Sequence, residues 1–189
     1  VCSVNVGLAR PLQAGGRRVL SAIGKQAVSG PVAVGRLGLA GDEQADLSVH
    51  GGLDKAVYAC PAGHAAFWQA RRHAHGVSLF DEVLPPGFGG ENLTLQGLLE
   101  SDVWIGDELH FPDCVLRVTA PREPCYKFNT VMGYNQAARD MVQAGCCGWY
   151  LAVEVAGSIE AGQSFTQVPG RRALSVLQAF AAKRAKHLR

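Results

Sequence analysis

Short apolar runs, broken every few residues by glycine, proline or aspartate, dominate the chain. Val4–Leu8, Val19–Ile23, Pro31–Val34, Ala56–Ala59, Val103–Phe111, Cys114–Thr119, Tyr150–Val155 and Ser164–Val168 are rich in branched and apolar residues, the pattern of β-strands. Within Tyr150–Val155, the residues Leu151, Val153 and Val155 recur with a period of two, so this strand is expected to bury one face. Three segments carry a helical period instead. After Pro61, the residues His64, Phe67, Trp68 and Arg71 share a face. Tyr134, Ala137, Ala138, Met141 and Val142 form an apolar stripe that stops before Gly145, a candidate C-terminal cap. Ala173–Leu188 reads as a last helix, with Leu174, Leu177, Phe180 and Ala181 on one side and no obvious element left to cover it. The expectation is a mainly β fold with a few helices and a short C-terminal helix. The stretch Phe80–Glu91, with two prolines and three glycines, reads as a long loop that could face a ligand.

Composition narrows the functional classes. Hydrophobic residues make up 48% and charged residues 18% of 189, a globular balance. The formal charge of +2 hides an asymmetry: Arg171, Arg172, Lys183, Arg184, Lys186 and Arg189 are cationic in an acid-free final segment. The first 170 residues therefore carry 12 Lys+Arg against 16 Asp+Glu, which argues against general nucleic-acid binding by charge. The expected division is a body over 1–170 and a basic helix over 171–189. No run of about 18 apolar residues exists to span a membrane, and the N-terminal residues do not have a signal-peptide pattern. Six cysteines without a CxxC pair fit reduced thiols in the cytoplasm better than a disulfide framework or a zinc ribbon.

Three constellations could carry chemistry. In Val49-His50-Gly51-Gly52-Leu53-Asp54-Lys55, the paired glycines let backbone N–H groups approach an anion, with His50 and Lys55 as further donors. A tight turn between strands explains the same residues, and the spacing is not that of a P-loop. In Gly89-Gly90-Glu91-Asn92-Leu93, the side chains either satisfy the loop backbone or read the edge of a heteroaromatic ligand through Asn92. In Pro121-Arg122-Glu123-Pro124-Cys125-Tyr126-Lys127-Phe128-Asn129, Cys125 follows a proline and lies near two cations. Such a setting favours the thiolate, the form that attacks electrophiles and binds soft metals, although a buried structural cysteine is the commoner fate.

Taken in order, these strings resemble the MOSC domain family, most closely its YiiM-like branch. Gly38-Leu39-Ala40-Gly41-Asp42-Glu43-Gln44-Ala45-Asp46 and Ile105-Gly106-Asp107 add to the likeness, which runs from about Val4 to Val168. The resemblance implies a barrel-like β fold that binds the molybdenum cofactor, a molybdenum–molybdopterin, through a cysteine thiolate. Cys125 matches that metal ligand and catalytic residue, while His50, Gly51, Gly52, Lys55, Glu91, Asn92, Arg122, Lys127 and Asn129 fall at positions expected around the cofactor. It also implies an oxidoreductase that reduces small N-hydroxylated compounds, such as hydroxylamino base analogues and amidoximes, with electrons from a separate reductase. A non-catalytic carrier of the cofactor or of sulfur is the alternative, and a homodimer is one assembly open to the chain. Two features depart from the branch. The loop Phe88-Gly89-Gly90-Glu91-Asn92 has one glycine more than usual, and only the first helix of a three-helix C-terminal domain is recognisable.

Overall fold

The computed structural model describes residues 1–45, 51–78, 80 and 82–187, the last four by their backbone alone. In chain order the strands are β1 (Ser3–Val6), β2 (Arg10–Ala14), β3 (Arg17–Ser21), β4 (Gln26–Val28), β5 (Val32–Gly35), β6 (Gly38–Leu39), β7 (Val57–Pro61) and β8 (Leu93–Leu95). They continue with β9 (Glu108–His110), β10 (Val115–Pro121), β11 (Trp149–Val155), β12 (Gly157–Ile159) and β13 (Thr166–Val168). Four helices, α1 (His64–Ala74), α2 (Tyr126–Met132), α3 (Ala137–Ala144) and α4 (Val176–His187), complete the fold.

Eight strands form the main sheet in the order β13-β9-β10-β11-β7-β8-β1-β4. Its neighbours are antiparallel except for β7 and β8, whose parallel pairing uses α1 as the crossover. β12-β5-β6 form a second sheet, and β2-β3 stand apart as a hairpin. The barrel-like expectation is corrected in one respect: the main sheet is not closed, because its end strands β13 and β4 do not pair with each other. It does bend, since β10 changes register between Val118 and Ala120, an irregularity that bends a strand and increases its twist. The core lies between this sheet and the helices, around Trp149, Phe128, Leu93, Leu95, Leu116 and Met132, all under 3% exposed.

Several expected elements shift. Val103–Phe111 contains strand only at β9, because Ile105-Gly106-Asp107 turns the chain. Gly106 sits at φ 93°, and the buried Asp107 carboxylate accepts the N–H groups of Trp104 and Gly170. Pro61 ends β7 instead of opening α1, and α1 buries His64, Trp68 and Arg72 where the expected stripe had Phe67 and Arg71. Arg72 tolerates burial because Glu82 grips it twice, at 2.7 and 2.8 Å, and Met132 O accepts a third bond. Gly145 does cap α3, at φ 73°.

The C-terminal helix buries Val176, Ala179 and Phe180, leaving Leu174 and Leu177 exposed. Its cover comes from β10 and α3, and Val103 O and Glu100 O accept the N–H groups of Val176 and Leu177. No helix among the described residues is long and apolar enough to cross a membrane.

Candidate functional site

The proline-rich string around Cys125 leads directly into a helix. Pro124 cannot continue a helical hydrogen-bond pattern upstream, so Cys125 takes the N-cap position of α2 in extended geometry, at φ −132° and ψ 162°. Its carbonyl accepts the first helical bond, from Phe128 N–H at 3.0 Å. Gly133, at φ 78°, ends the helix about two turns later. The half-buried Cys125 thiol faces an open cleft of about 660 Å³, counting its mouth.

Opposite walls of the cleft come from distant parts of the chain. Ser21–Ile23 and Lys25 follow the hairpin, Asp42–Ala45 and Gly51 form a turn, and Tyr58 and Tyr150 project from β7 and β11. Arg122, 4% exposed, is the charged group deepest in the wall. Its guanidinium stacks over Tyr58 at 5.1 Å and Phe128 at 4.7 Å, and it donates to Gly89 O at 3.4 Å and toward Met141 Sδ at 3.5 Å. No carboxylate among the described residues forms an ion pair with it. A guanidinium keeps its charge at any ordinary pH, and a buried charge without a partner is costly. The Glu91 carboxylate feels its charge without pairing with it, so the cleft presents a cation with no ion-pair partner, while the nearby pair of Lys25 with Asp42 is closed on itself.

That pair is tightly built. Asp42 accepts from Lys25 Nζ and from Gly7 N–H through Oδ1, and from Asn92 Nδ2 at 2.8 Å through Oδ2. Burial pulls the Lys25 pKa down, and the Asp42 carboxylate opposes that only in part. Lys55 Nζ lies 5.5 Å over the Tyr150 ring, and Lys127 Nζ donates to Leu20 O at the cleft mouth.

The expected site residues separate into three groups. Gly51, Lys55, Asn92, Arg122, Cys125 and Lys127 line the cleft together. Asp46–His50 lie outside the described residues, and with them the expectation for His50. Gly52, Glu91 and Asn129 are not on the cleft surface. Gly52 N–H donates to Gln44 Oε1, so this glycine holds the turn. Glu91 Oε1 accepts Gly87 N–H at 2.7 Å and Thr94 Oγ1 at 3.3 Å, bracing the loop from behind, and burial raises its pKa. Asn129 reaches Asn135 O and Ala138 N–H, joining α2 to α3. Asn92 lines the cleft, but its amide favours the alternative in which it satisfies backbone groups. Its Oδ1 accepts Tyr58 N–H, and its Nδ2 serves Asn5 O and Asp42, so both ends are engaged within the protein. Sequence reasoning missed Lys25, Tyr58 and Tyr150 as cleft residues; none belongs to a short motif, and only the β-strand alternation of the last two hinted at their direction.

A second cavity, about 720 Å³, lies on the far side of Tyr58. It is lined mostly by apolar groups, among them Trp68, Leu84, Pro85 and Phe88, and by Cys60 and His64. His64 Nδ1 is 3.7 Å from Cys60 Sγ, and His64 Nε2 is 3.3 Å from Glu100 Oε2. Gly148 N–H donates to the other Glu100 oxygen at 2.6 Å. Burial opposes charge on His64, but hydrogen bonds with Cys146, Cys60 and Glu100 prevail and push its pKa up to about 12. Burial also raises the Cys60 thiol pKa. Among the described residues, no group of three or more His, Cys, Asp or Glu side chains is arranged to hold a metal ion.

Comparison with known proteins gives this geometry a family. The MOSC domain model matches residues 46–166. The chain is 40% identical over 141 residues to protein YiiM of Escherichia coli K12, covering 75% of this chain and 61% of that protein's length. It is 34% identical over 152 residues to a Gibberella moniliformis protein named a reductase, covering 80% of this chain and 26% of that one. The crystal structure of YiiM from Geobacillus stearothermophilus superposes with a TM-score of 0.77 at 30% identity, covering 98% of this chain and 84% of that one. The chain belongs to the MOSC domain family, and within it is YiiM-like.

Proposed function

We propose that the cleft holds a molybdenum–pterin cofactor and that the loaded protein reduces small N-hydroxylated compounds. The observation that carries this reading is Arg122, a buried cation that forms no ion pair among the described residues, facing the same cleft as the Cys125 thiol. That donor set fits an anionic group carrying a soft metal: thiolate sulfur suits such metals, and guanidinium suits phosphate and other anions. When bound, the cofactor would supply two-electron redox chemistry for cleaving an N–O bond. Around it, Cys125 Sγ would be the protein's ligand to the metal, Arg122 would neutralise the anionic portion, and Lys55 and Lys127 would add charge at the rim. Tyr58 and Tyr150 would wall the substrate, while Lys25 Nζ holds a proton beside the cleft. The reductase name of the Gibberella relative supports the reaction class, and MOSC membership supports the cofactor. None of the six cysteines forms a disulfide, which suits a cytoplasmic protein, and an outside donor would deliver the electrons.

Metal and pterin analysis of protein from a cofactor-competent host tests this directly. Wild type is expected to carry molybdenum and pterin in near-equal amounts, Cys125→Ala neither, and the loaded protein to reduce benzamidoxime with reduced methyl viologen as donor. Wild type without molybdenum overturns the reading. Loaded protein without turnover overturns the reductase and leaves a carrier.

A further inference from the structure

The β2–β3 hairpin borders the mouth of the cleft without joining either larger sheet. Gly15 and Gly16, at φ 59° and 74°, form its two-residue turn, the arrangement whose twist matches flanking strands. Two contacts fix it in place. The Gly15 backbone lies over Tyr126, so that a Cβ there would be 3.5 Å from the ring, and Leu20 O accepts Lys127 Nζ at 3.1 Å. Tyr126 and Lys127 directly follow Cys125, and Ser21–Ile23, the end of β3 and the two residues after it, line the cleft itself. The hairpin is thus anchored to the segment that carries the proposed metal ligand.

Its charge is one-sided. The first 41 residues contain Arg10, Arg17, Arg18, Lys25 and Arg36 and no aspartate or glutamate. Lys25 turns inward to Asp42. Arg10, Arg17 and Arg18 are exposed, and none forms an ion pair among the described residues. The carboxylate of Glu43 is engaged with Ala9 N–H at 2.6 Å. The pairing register puts Arg18 and Leu20 on the outer face. Arg10 and Arg17 stand at the two ends of the inner face, beyond the buried Ala14 and Ser21. Leu20 is 58% and Tyr126 51% exposed. Arginine and tyrosine beside an exposed leucine have the composition of a protein interface. The sign of the charge selects an acidic partner and steers its approach.

We infer that the hairpin is the docking surface for an acidic electron-carrier protein, which Arg10, Arg17 and Arg18 guide to the cleft mouth. This rests on the proposed reduction, which needs electrons from outside the chain.

The test uses the full chain and two strongly acidic carriers as probes, a flavodoxin and a [2Fe–2S] ferredoxin. At least one is expected to bind at low ionic strength, and to bind about tenfold more weakly in 0.3 M salt, as a screened charge contact requires. The Arg17→Glu/Arg18→Glu variant should lose about tenfold in affinity. Arg139→Glu/Arg171→Glu, which makes the same charge change at other exposed positions, should lose little, and both variants should melt with wild type. Methyl viologen-driven turnover should not change in the hairpin variant. The inference is overturned if neither carrier binds, if the two variants lose affinity equally, or if the hairpin variant loses binding to single-stranded DNA and not to a carrier. Binding does not require molybdenum, so failure of the metal analysis and failure of docking are read separately.

Discussion

Two cavities meet at Tyr58, and a buried cation stands in the wall of each, but of His64 and Arg122 only His64 is ion-paired with an acid. In the second cavity His64 is paired with Glu100, which Gly148 N–H fixes in turn. Charge there is balanced within the fold, and apolar groups line most of the wall. In the cleft, Arg122 leans on aromatic faces, a carbonyl and a thioether. Both arrangements keep a cation from water, yet they answer its desolvation differently. A balanced pair is part of the scaffold. A cation without an ion pair beside an accessible thiol leaves attraction available to an anion from solution, so the contrast favours the Cys125 side of Tyr58 for the proposed ligand.

The largest effect that could break this contrast is on cofactor uptake. Arg122→Met keeps much of the side-chain volume and removes the charge. Uptake of the molybdenum–pterin group is expected to fall on the order of 100-fold, because a buried charge-assisted contact to an anion contributes several kcal/mol. The melting temperature of the empty protein should change little, since replacing a poorly compensated buried charge by an apolar side chain is often neutral. Strong destabilisation with normal uptake would make Arg122 a structural residue and erase the difference between the cavities.

The converse holds for Glu100. Glu100→Ala strands His64 and leaves Gly148 N–H buried without its acceptor, a loss of about 3 kcal/mol in stability. In a chain of this size that lowers the melting temperature by roughly 6–12 °C. Molybdenum content per folded molecule should stay at the wild-type level. A fall in content without a fall in stability would move ligand binding to the second cavity.

This contrast was only half legible in the sequence. Cys125 and Arg122 stood out because cations and prolines crowd one cysteine, and short-range chemistry survives in a string of nine residues. The β-rich fold was legible from short, turn-bounded apolar runs, and Gly145 as a helix cap from its place at the end of a stripe. Partnership was not. Asn92 and Asn129 read as ligand-binding amides, yet their hydrogen bonds go to Asp42, Asn5 and Ala138, neighbours fixed only by tertiary packing. Lys25 and Asp42 lie 17 positions apart, and His64 and Glu100 lie 36 apart across a crossover helix, so no local period could pair them. The hairpin β2–β3 was half legible: the expected strand Val19–Ile23 overlaps β3, whereas β2 turns only Leu12 and Ala14 inward, too short a pattern to mark a strand.

The smallest effect is a slope. His64 has its folded pKa raised from 6.5 to about 12, so above pH 6.5 the folded protein holds a proton that the unfolded chain releases. Where the native state binds more protons, stability falls as pH rises. The contribution from His64 is complete below pH 6.5 and declines from there toward its folded pKa, by at most about 1.4 kcal/mol per pH unit for one proton. Between pH 6.5 and 8.5 the wild-type unfolding free energy should therefore decrease, and in His64→Gln the decrease should flatten while overall stability is lower. Restricting the measurement to this window keeps it below the range in which the buried thiols Cys60 and Cys114, whose pKa values are also raised, would add slopes of the same sign. Denaturant titrations at several pH values, run on wild type and His64→Gln with the cleft empty, read the second cavity alone. Equal slopes in the two proteins would show that His64 is neutral when folded, and the cavity would then hold a carboxylate without its cation, the reverse of the balance that sets it apart from the cleft.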